Sequence, residues 1–148
     1  TTDDVNLLQD EYIFKRILST IDPENGSIVA VMGLSYKPST PVIEESPALR
    51  IIEKLLEKNI EVIVYDSLAV DNARAHFGDR ILYVSSMKEC FSNATHVVIT
   101  TQEQEFKMID DSYIVHEPTV IIDCWRILEA KVFSKQVKYI ALGKADSE

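Results

Sequence analysis

The sequence predicts an α/β fold, a Rossmann-like three-layer sandwich with a mostly parallel sheet in a single domain. Three observations carry this reading. Short apolar runs of strand length recur along the chain, stretches of helical period separate them, and strands that alternate with helices build βαβ units whose parallel sheet is covered on both faces. The length of 148 residues suits one ordinary domain with a sizeable core.

In chain order, Leu7, Phe14, Ile17, Leu18 and Ile21 fall on one helical face, which predicts a helix over residues from about 4 to 20. Asp22-Pro23-Glu24-Asn25-Gly26 reads as a turn. Ser27 to Met32 is a continuous apolar run, suited to a strand buried on both faces. Pro47 fits the first position of the next helix behind a Ser46 cap, with Leu49, Ile52, Leu55 and Leu56 as the buried stripe and Asn59 as a left-handed C-cap. Glu61 to Asp66 is a strand, Val70 to Phe77 a short helix, and Ile81 to Val84 a strand. Ser86 to Asn93 is a helix with Met87, Cys90 and Phe91 inward, and His96 to Thr100 is a strand. Phe106 to Val115 has a weak helical pattern, and Thr119 to Asp123 and Val137 to Ala141 are the last strands. No repeat and no second domain are evident.

Composition narrows the function classes. Apolar residues make up 46% of the chain and charged residues 26%, as in soluble globular proteins. No apolar run approaches a membrane span, and the acidic start TTDDVNLLQDEY lacks the basic and apolar regions of a signal peptide. Without an initiator Met, the chain reads as part of something longer. Cys90 and Cys124 lie in apolar neighbourhoods without CxxC spacing, which predicts reduced core thiols, a cytoplasmic protein and no metal site. A net charge of −9, with no clustering of lysine or arginine, argues against a nucleic-acid partner. An anionic ligand must therefore be held by a few local groups against an unfavourable global field.

In such sheets ligands sit beyond the carboxyl ends of the strands. Gly33 to Lys37, Asp66, Thr100 to Gln102 and Asp123 to Arg126 are the positions that count. A dinucleotide reading would use Asp66 as the acid that grips a ribose. Against it, the first strand is followed by Gly33 alone, without a GxGxxG pattern, and Glu44 and Glu45 stand just before the helix where a phosphate would bind. Asp66 then reads as a turn residue capping the segment after it. Taken singly, Lys37, the Glu45-Ser46 pair and Trp125 each have a bland reading: a solvated lysine, a cap and a partly buried aromatic.

Taken together, the motifs are more specific. "GLSYKPSTPVIEESPALRIIEKLLEKNIEVIVYD" resembles the start of the C-terminal, UDP-binding domain of the UDP-glucose/GDP-mannose dehydrogenase family, whose pattern is Gly-Leu-x-aromatic-Lys-x-x-Thr, Arg-Glu-Ser-Pro, a helix and a strand ending Tyr-Asp. "ATHVVITTQEQEF" is similar to the family's strand followed by Thr and a Glu-Phe pair, "VIIDCWRIL" to its Asp-x-Arg strand end, and "VNLLQDEYIFKRIL" to the helix that enters this domain from the central one.

The resemblance implies an entry helix over residues 1–22 and a UDP-sugar-binding domain over 23–148. It implies an enzyme, an NAD-dependent UDP-sugar 6-dehydrogenase that oxidises a C6 hydroxyl to a carboxylate in two steps. NAD and the catalytic thiol belong to an N-terminal region, with no cofactor bound by this chain, so the chain alone is expected to be inactive. The implied partners are the UDP-sugar and the N-terminal and central domains, with a homo-oligomer at full length. Tyr36 and Lys37 fall on the aromatic-Lys pair, and a lysine ammonium can donate three hydrogen bonds to phosphate or sugar oxygens.

Glu44 stands where the family has Arg, Pro41-Val42 where it often has acids, and Trp125 where it has a nucleotide-contacting Arg, with Arg126 one place later. Either Arg126 takes that role, or Trp125 stacks on the uracil while Arg126 pairs elsewhere. The family's Gly-Phe-Gly-Gly-x-Cys loop is matched around neither Cys90 nor Cys124. A free-standing nucleotide-sugar-binding module, or an assembly domain that has lost its ligand, are the alternatives from other classes.

Overall fold

The computed structural model describes residues 2–21, 27–34 and 47–142, and the side chains among them from residue 11 onward. Among the described residues six strands form one sheet in the order β3-β2-β1-β4-β5-β6, and every neighbouring pair is parallel. They are β1 (Ile28–Met32), β2 (Glu61–Tyr65), β3 (Leu82–Tyr83), β4 (His96–Ile99), β5 (Thr119–Asp123) and β6 (Val137–Ala141). Among the described residues four α-helices accompany them: α1 (Thr2–Thr20), α2 (Pro47–Glu57), α3 (Val70–Phe77) and α4 (Met87–Asn93).

Burial explains this strand order. The middle strands β1, β4 and β5 are buried along almost their whole length, as continuous apolar sequences require, while the edges β3 and β6 are short or only partly covered. One core layer joins α1, α2 and α3 to the sheet through Ile17, Ile51, Ile52, Leu55 and Phe77. The opposite layer holds α4 and the segment between β4 and β5 through Phe91, Phe106 and Ile109. Each such side chain, fully buried, contributes on the order of 1.5–3 kcal/mol.

Two sequence expectations shift in detail. The inward stripe of α2 is Ala48, Ile51, Ile52 and Leu55, while Leu49 and Leu56 are only partly buried against the same core. Spacings of three and four residues put Ala48 and Ile51 on the face of Ile52 and Leu55 and leave the other two leucines at its margins. The segment from Phe106 to Val115 forms two 3-10 turns, Gln104–Met108 and Asp111–Tyr113. Asp110 takes both the backbone N–H and the hydroxyl of Ser112, at 3.0 and 2.6 Å, and that local bonding competes with a continuous α-helix.

Other expectations hold closely. Asn59 has φ 61° after α2, and the Ile60 N–H returns to the Leu55 carbonyl at 3.1 Å, the geometry of a left-handed helix stop. Helix α4 begins at Met87, one residue later than expected, with Ser86 as its N-cap accepting from the Glu89 N–H at 3.2 Å. The turn at 22–26 and the Ser46 cap lie outside the described residues. At the amino edge of the sheet, the buried His96 ring spans the Thr20 carbonyl of α1 at 2.9 Å and the Thr95 hydroxyl at 2.7 Å.

The order 3-2-1-4-5-6 has one switch point, where the chain leaves β1 towards β2 and the neighbouring β4 leads the other way. The crevice beyond the carboxyl ends of β1 and β4 is where a doubly wound sheet admits ligands.

Candidate functional site

Pairing register brings the strand ends into line. Tyr65, Met32, Ile99 and Asp123 form one row across β2, β1, β4 and β5, so the residues just after them share one edge. Backbone bonds from Gly33 to Tyr65, Thr100 to Met32 and Cys124 to Ile99, at 2.9, 3.0 and 3.1 Å, extend the ladder one step beyond the strands.

Asp66 is consumed by this edge. It is 5% exposed; Oδ2 accepts the Leu34 N–H at 2.7 Å, and Oδ1 accepts those of Leu68 and Ala69 at 2.7 and 2.8 Å. Three charge-assisted bonds fix the exit of β1 to the entry of α3 and make Asp66 the cap that the sequence allowed. An acid committed in this way does not serve as a ribose grip. With Gly33 as the lone glycine of its stretch, the residues present do not fit NAD.

Asp123 does the equivalent work after β5. It is fully buried and accepts from the Trp125 N–H at 3.1 Å, the Leu128 N–H at 2.7 Å and the Tyr139 hydroxyl at 2.8 Å. Burial, then that bond to the carboxylate, pushes the Tyr139 phenol far above its usual range. The turn held by Asp123 presents Trp125 and Arg126.

Trp125 is 51% exposed, yet its ring is oriented: the indole N–H donates to the Thr100 carbonyl at 2.9 Å. A flat apolar face is thereby held beside the switch point, with rotamer freedom already lost. Arg126 adopts φ 58°, unusual for a residue with a side chain, and its guanidinium meets Glu129 at 2.8 Å. Thr100 completes the frame, its hydroxyl within reach of the Met32 carbonyl at 3.0 Å and of the Gly33 carbonyl.

Gly33 is required here. Its φ is +97°, and a Cβ at this position would stand 2.3 Å from the Thr101 hydroxyl oxygen and 3.0 Å from two Thr101 carbons. Of the residues singled out by sequence, Trp125 and Arg126 thus stand at the carboxyl edge, and Tyr36 and Lys37 lie outside the described residues. Sequence reasoning missed the Thr101–Gly33 contact and the Tyr139–Asp123 bond. The paired threonines after β4 were the one available signal for the first; nothing local marks the second, whose partners lie 16 residues apart.

Next to this edge, beyond β2 and β3, lies a cavity of about 390 Å³ between Tyr65, Asp71, Leu68 and Ser85. Its acidic lining and the committed Asp66 suit it poorly to a phosphate. Cys90 is buried, and its burial pushes the thiol up to about 12, so almost none is thiolate near neutrality. Among the described residues no group of three His, Cys, Asp or Glu side chains is placed to hold a metal, and no helix is long and apolar enough to cross a membrane.

Comparisons with known proteins place the chain in a family and agree with its fold. Residues 30–130 match the sequence model of the UDP-glucose/GDP-mannose dehydrogenase family, UDP binding domain. A UDP-glucose 6-dehydrogenase of Haloferax volcanii is 34% identical over 125 residues, covering 84% of this chain and 29% of that protein. One of Rickettsia prowazekii is 31% identical over 143 residues, covering 93% and 33%. Among solved structures, the UDP-N-acetyl-mannosamine dehydrogenase of Staphylococcus aureus superposes with a TM-score of 0.71 at 28% identity, over 93% of this chain and 31% of that one. The chain thus spans about a third of the length of these relatives.

Proposed function

The chain belongs to the UDP-glucose/GDP-mannose dehydrogenase family, as its UDP binding domain, and from that membership we propose that it holds the UDP part of a nucleotide sugar for an NAD-dependent 6-dehydrogenase. Residues 23–148 form the binding domain and residues 1–22 the helix entering it from a central domain. NAD and the catalytic cysteine belong to an N-terminal region, consistent with the inert thiol of Cys90. The whole enzyme works in the cytoplasm as a homo-oligomer.

Within the site, Trp125 supplies the surface on which the uracil stacks, while Arg126 holds the turn through Glu129. Tyr36 and Lys37 approach the sugar and phosphate oxygens, the lysine as a compact cation. The observation that carries this reading is the half-exposed Trp125 ring locked to the Thr100 carbonyl at the carboxyl edge. Stacking on such a pre-oriented platform costs little side-chain entropy.

Trp125 is the only tryptophan of the chain, so its fluorescence reports on the site directly. UDP should quench it saturably. A domain that supplies only part of the contact surface should bind UDP with a dissociation constant on the order of 1 mM. Saturable quenching by NAD that UDP does not compete would overturn the proposal.

A further inference from the structure

We infer that the Thr101 hydroxyl is a ligand group, donating a hydrogen bond to a diphosphate oxygen of the nucleotide. The inference rests on the nucleotide reading above and adds a residue to it. Thr101 is 4% exposed, and its Oγ1 is a buried side-chain oxygen without a hydrogen-bond partner among the described residues. Native proteins rarely leave a buried hydroxyl unpaired, and each exception calls for strain, a water or ion, or a functional role to explain it. The neighbouring groups engage one another: the Thr100 hydroxyl lies within reach of the Met32 and Gly33 carbonyls, and the Trp125 indole N–H donates to the Thr100 carbonyl.

Position gives the orphan its meaning. Thr101 follows β4 and lies against Gly33 after β1, at the switch point where doubly wound sheets receive the pyrophosphate of a nucleotide. Any side chain on Gly33 would fill the place of the hydroxyl, so the missing Cβ keeps backbone and hydroxyl together at this point. The neighbouring carboxylates, Asp66 and Asp123, are turned onto backbone N–H groups. A neutral donor beside them suits an anion without adding a desolvated cation. The hydroxyl is covered by the fold, so the proposed contact requires Thr101 to turn about χ1.

The test compares the chain with Thr101→Val, which keeps the shape and removes the hydroxyl, and with Thr101→Ser, which keeps the hydroxyl. Each is titrated with UDP and with uridine, following the Trp125 indole N–H by NMR. Thr101→Val should bind UDP about tenfold more weakly, the lower end for a hydrogen bond to a charged group, and Thr101→Ser should bind as the parent does. Uridine should bind all three alike. The melting temperature of Thr101→Val should stay level or rise, because an unpaired buried polar group has been removed. Equal UDP affinity in Thr101→Val overturns the assignment, as does an equal loss for uridine. A melting temperature lower by about 5 °C or more also overturns it, by revealing a partner within the fold. If the parent chain binds no UDP, the nucleotide reading itself falls and takes this inference with it.

Discussion

Replacing Gly33 by alanine tests the junction between β1 and β4. Two costs combine. Holding an L-residue at φ +97° costs on the order of 1–2 kcal/mol. The new methyl would meet Thr101 Oγ1 at 2.3 Å and two Thr101 carbons at 3.0 Å, so no rotation of that side chain clears every contact, and overpacking of this kind costs about 1–3 kcal/mol. The sum is about 2–5 kcal/mol. At about 2–4 °C per kcal/mol for a chain of this size, the melting temperature should fall by roughly 4–20 °C. Thermal denaturation followed by circular dichroism measures it. Adding Thr101→Ala removes the hydroxyl and the γ-methyl but keeps Cβ at 3.0 Å, so it should recover much of the contact part and leave the φ part, a coupling of about 1–2 kcal/mol in a double-mutant cycle. A fall under about 2 °C, or additive effects of the two substitutions, would refute the close approach described here.

Two further outcomes rest on the described geometry and a third on the family pattern. Asp66→Asn replaces one accepting oxygen by an amide donor facing backbone N–H groups; it should cost about 1.5–3 kcal/mol, measured by urea unfolding, and unchanged stability would show that the three bonds are not formed. Burial depresses the His96 pKa despite its bond to the Thr20 carbonyl. The unfolded chain therefore takes up that proton first, and the stability from neutral His96 is complete above the unfolded value near 6.5 and declines as pH falls through it towards the folded one. Melting temperatures from pH 7.5 to 5.5 should show this decline in the parent and a shallower one in His96→Gln, and parallel curves would contradict it. In a full-length nucleotide-sugar dehydrogenase carrying this domain, Lys37→Ala should weaken nucleotide-sugar binding by about 1.5–3 kcal/mol and leave the melting temperature of the chain nearly unchanged, and unchanged substrate affinity would remove Lys37 from the site.

Much of the fold was legible because continuous apolar runs and caps are local signals. The bounds of α3, β5 and β6 match the expectation from sequence, and Asn59 and Ser86 end and begin their helices as their side chains favour. The segment after β4 departs from its helical pattern because periodicity around Phe106 is blind to the Asp110 side chain, which binds Ser112 instead of leaving the backbone to a helix. At the site, sequence pointed to the strand ends through Asp66, the Thr100 pair and Trp125. It could not assign Asp66 to the Leu34 amide, or lock the Trp125 indole to Thr100, because those partners are 32 and 25 residues away and meet only through the sheet register. Likewise the unpaired hydroxyl of Thr101 is a property of packing that no spacing encodes.

The central claim, that the carboxyl edge around the β1–β4 switch point receives the nucleotide, is tested most directly by mapping amide chemical-shift changes on the isotope-labelled chain as UDP is added. The changes should gather at Gly33, Leu34, Thr100, Thr101, Trp125 and Arg126 and leave the amino edge around Ile28 and His96 still. Changes centred instead on Asp71 and Ser85 in the cavity beyond β2 and β3, or at the amino edge, would contradict it.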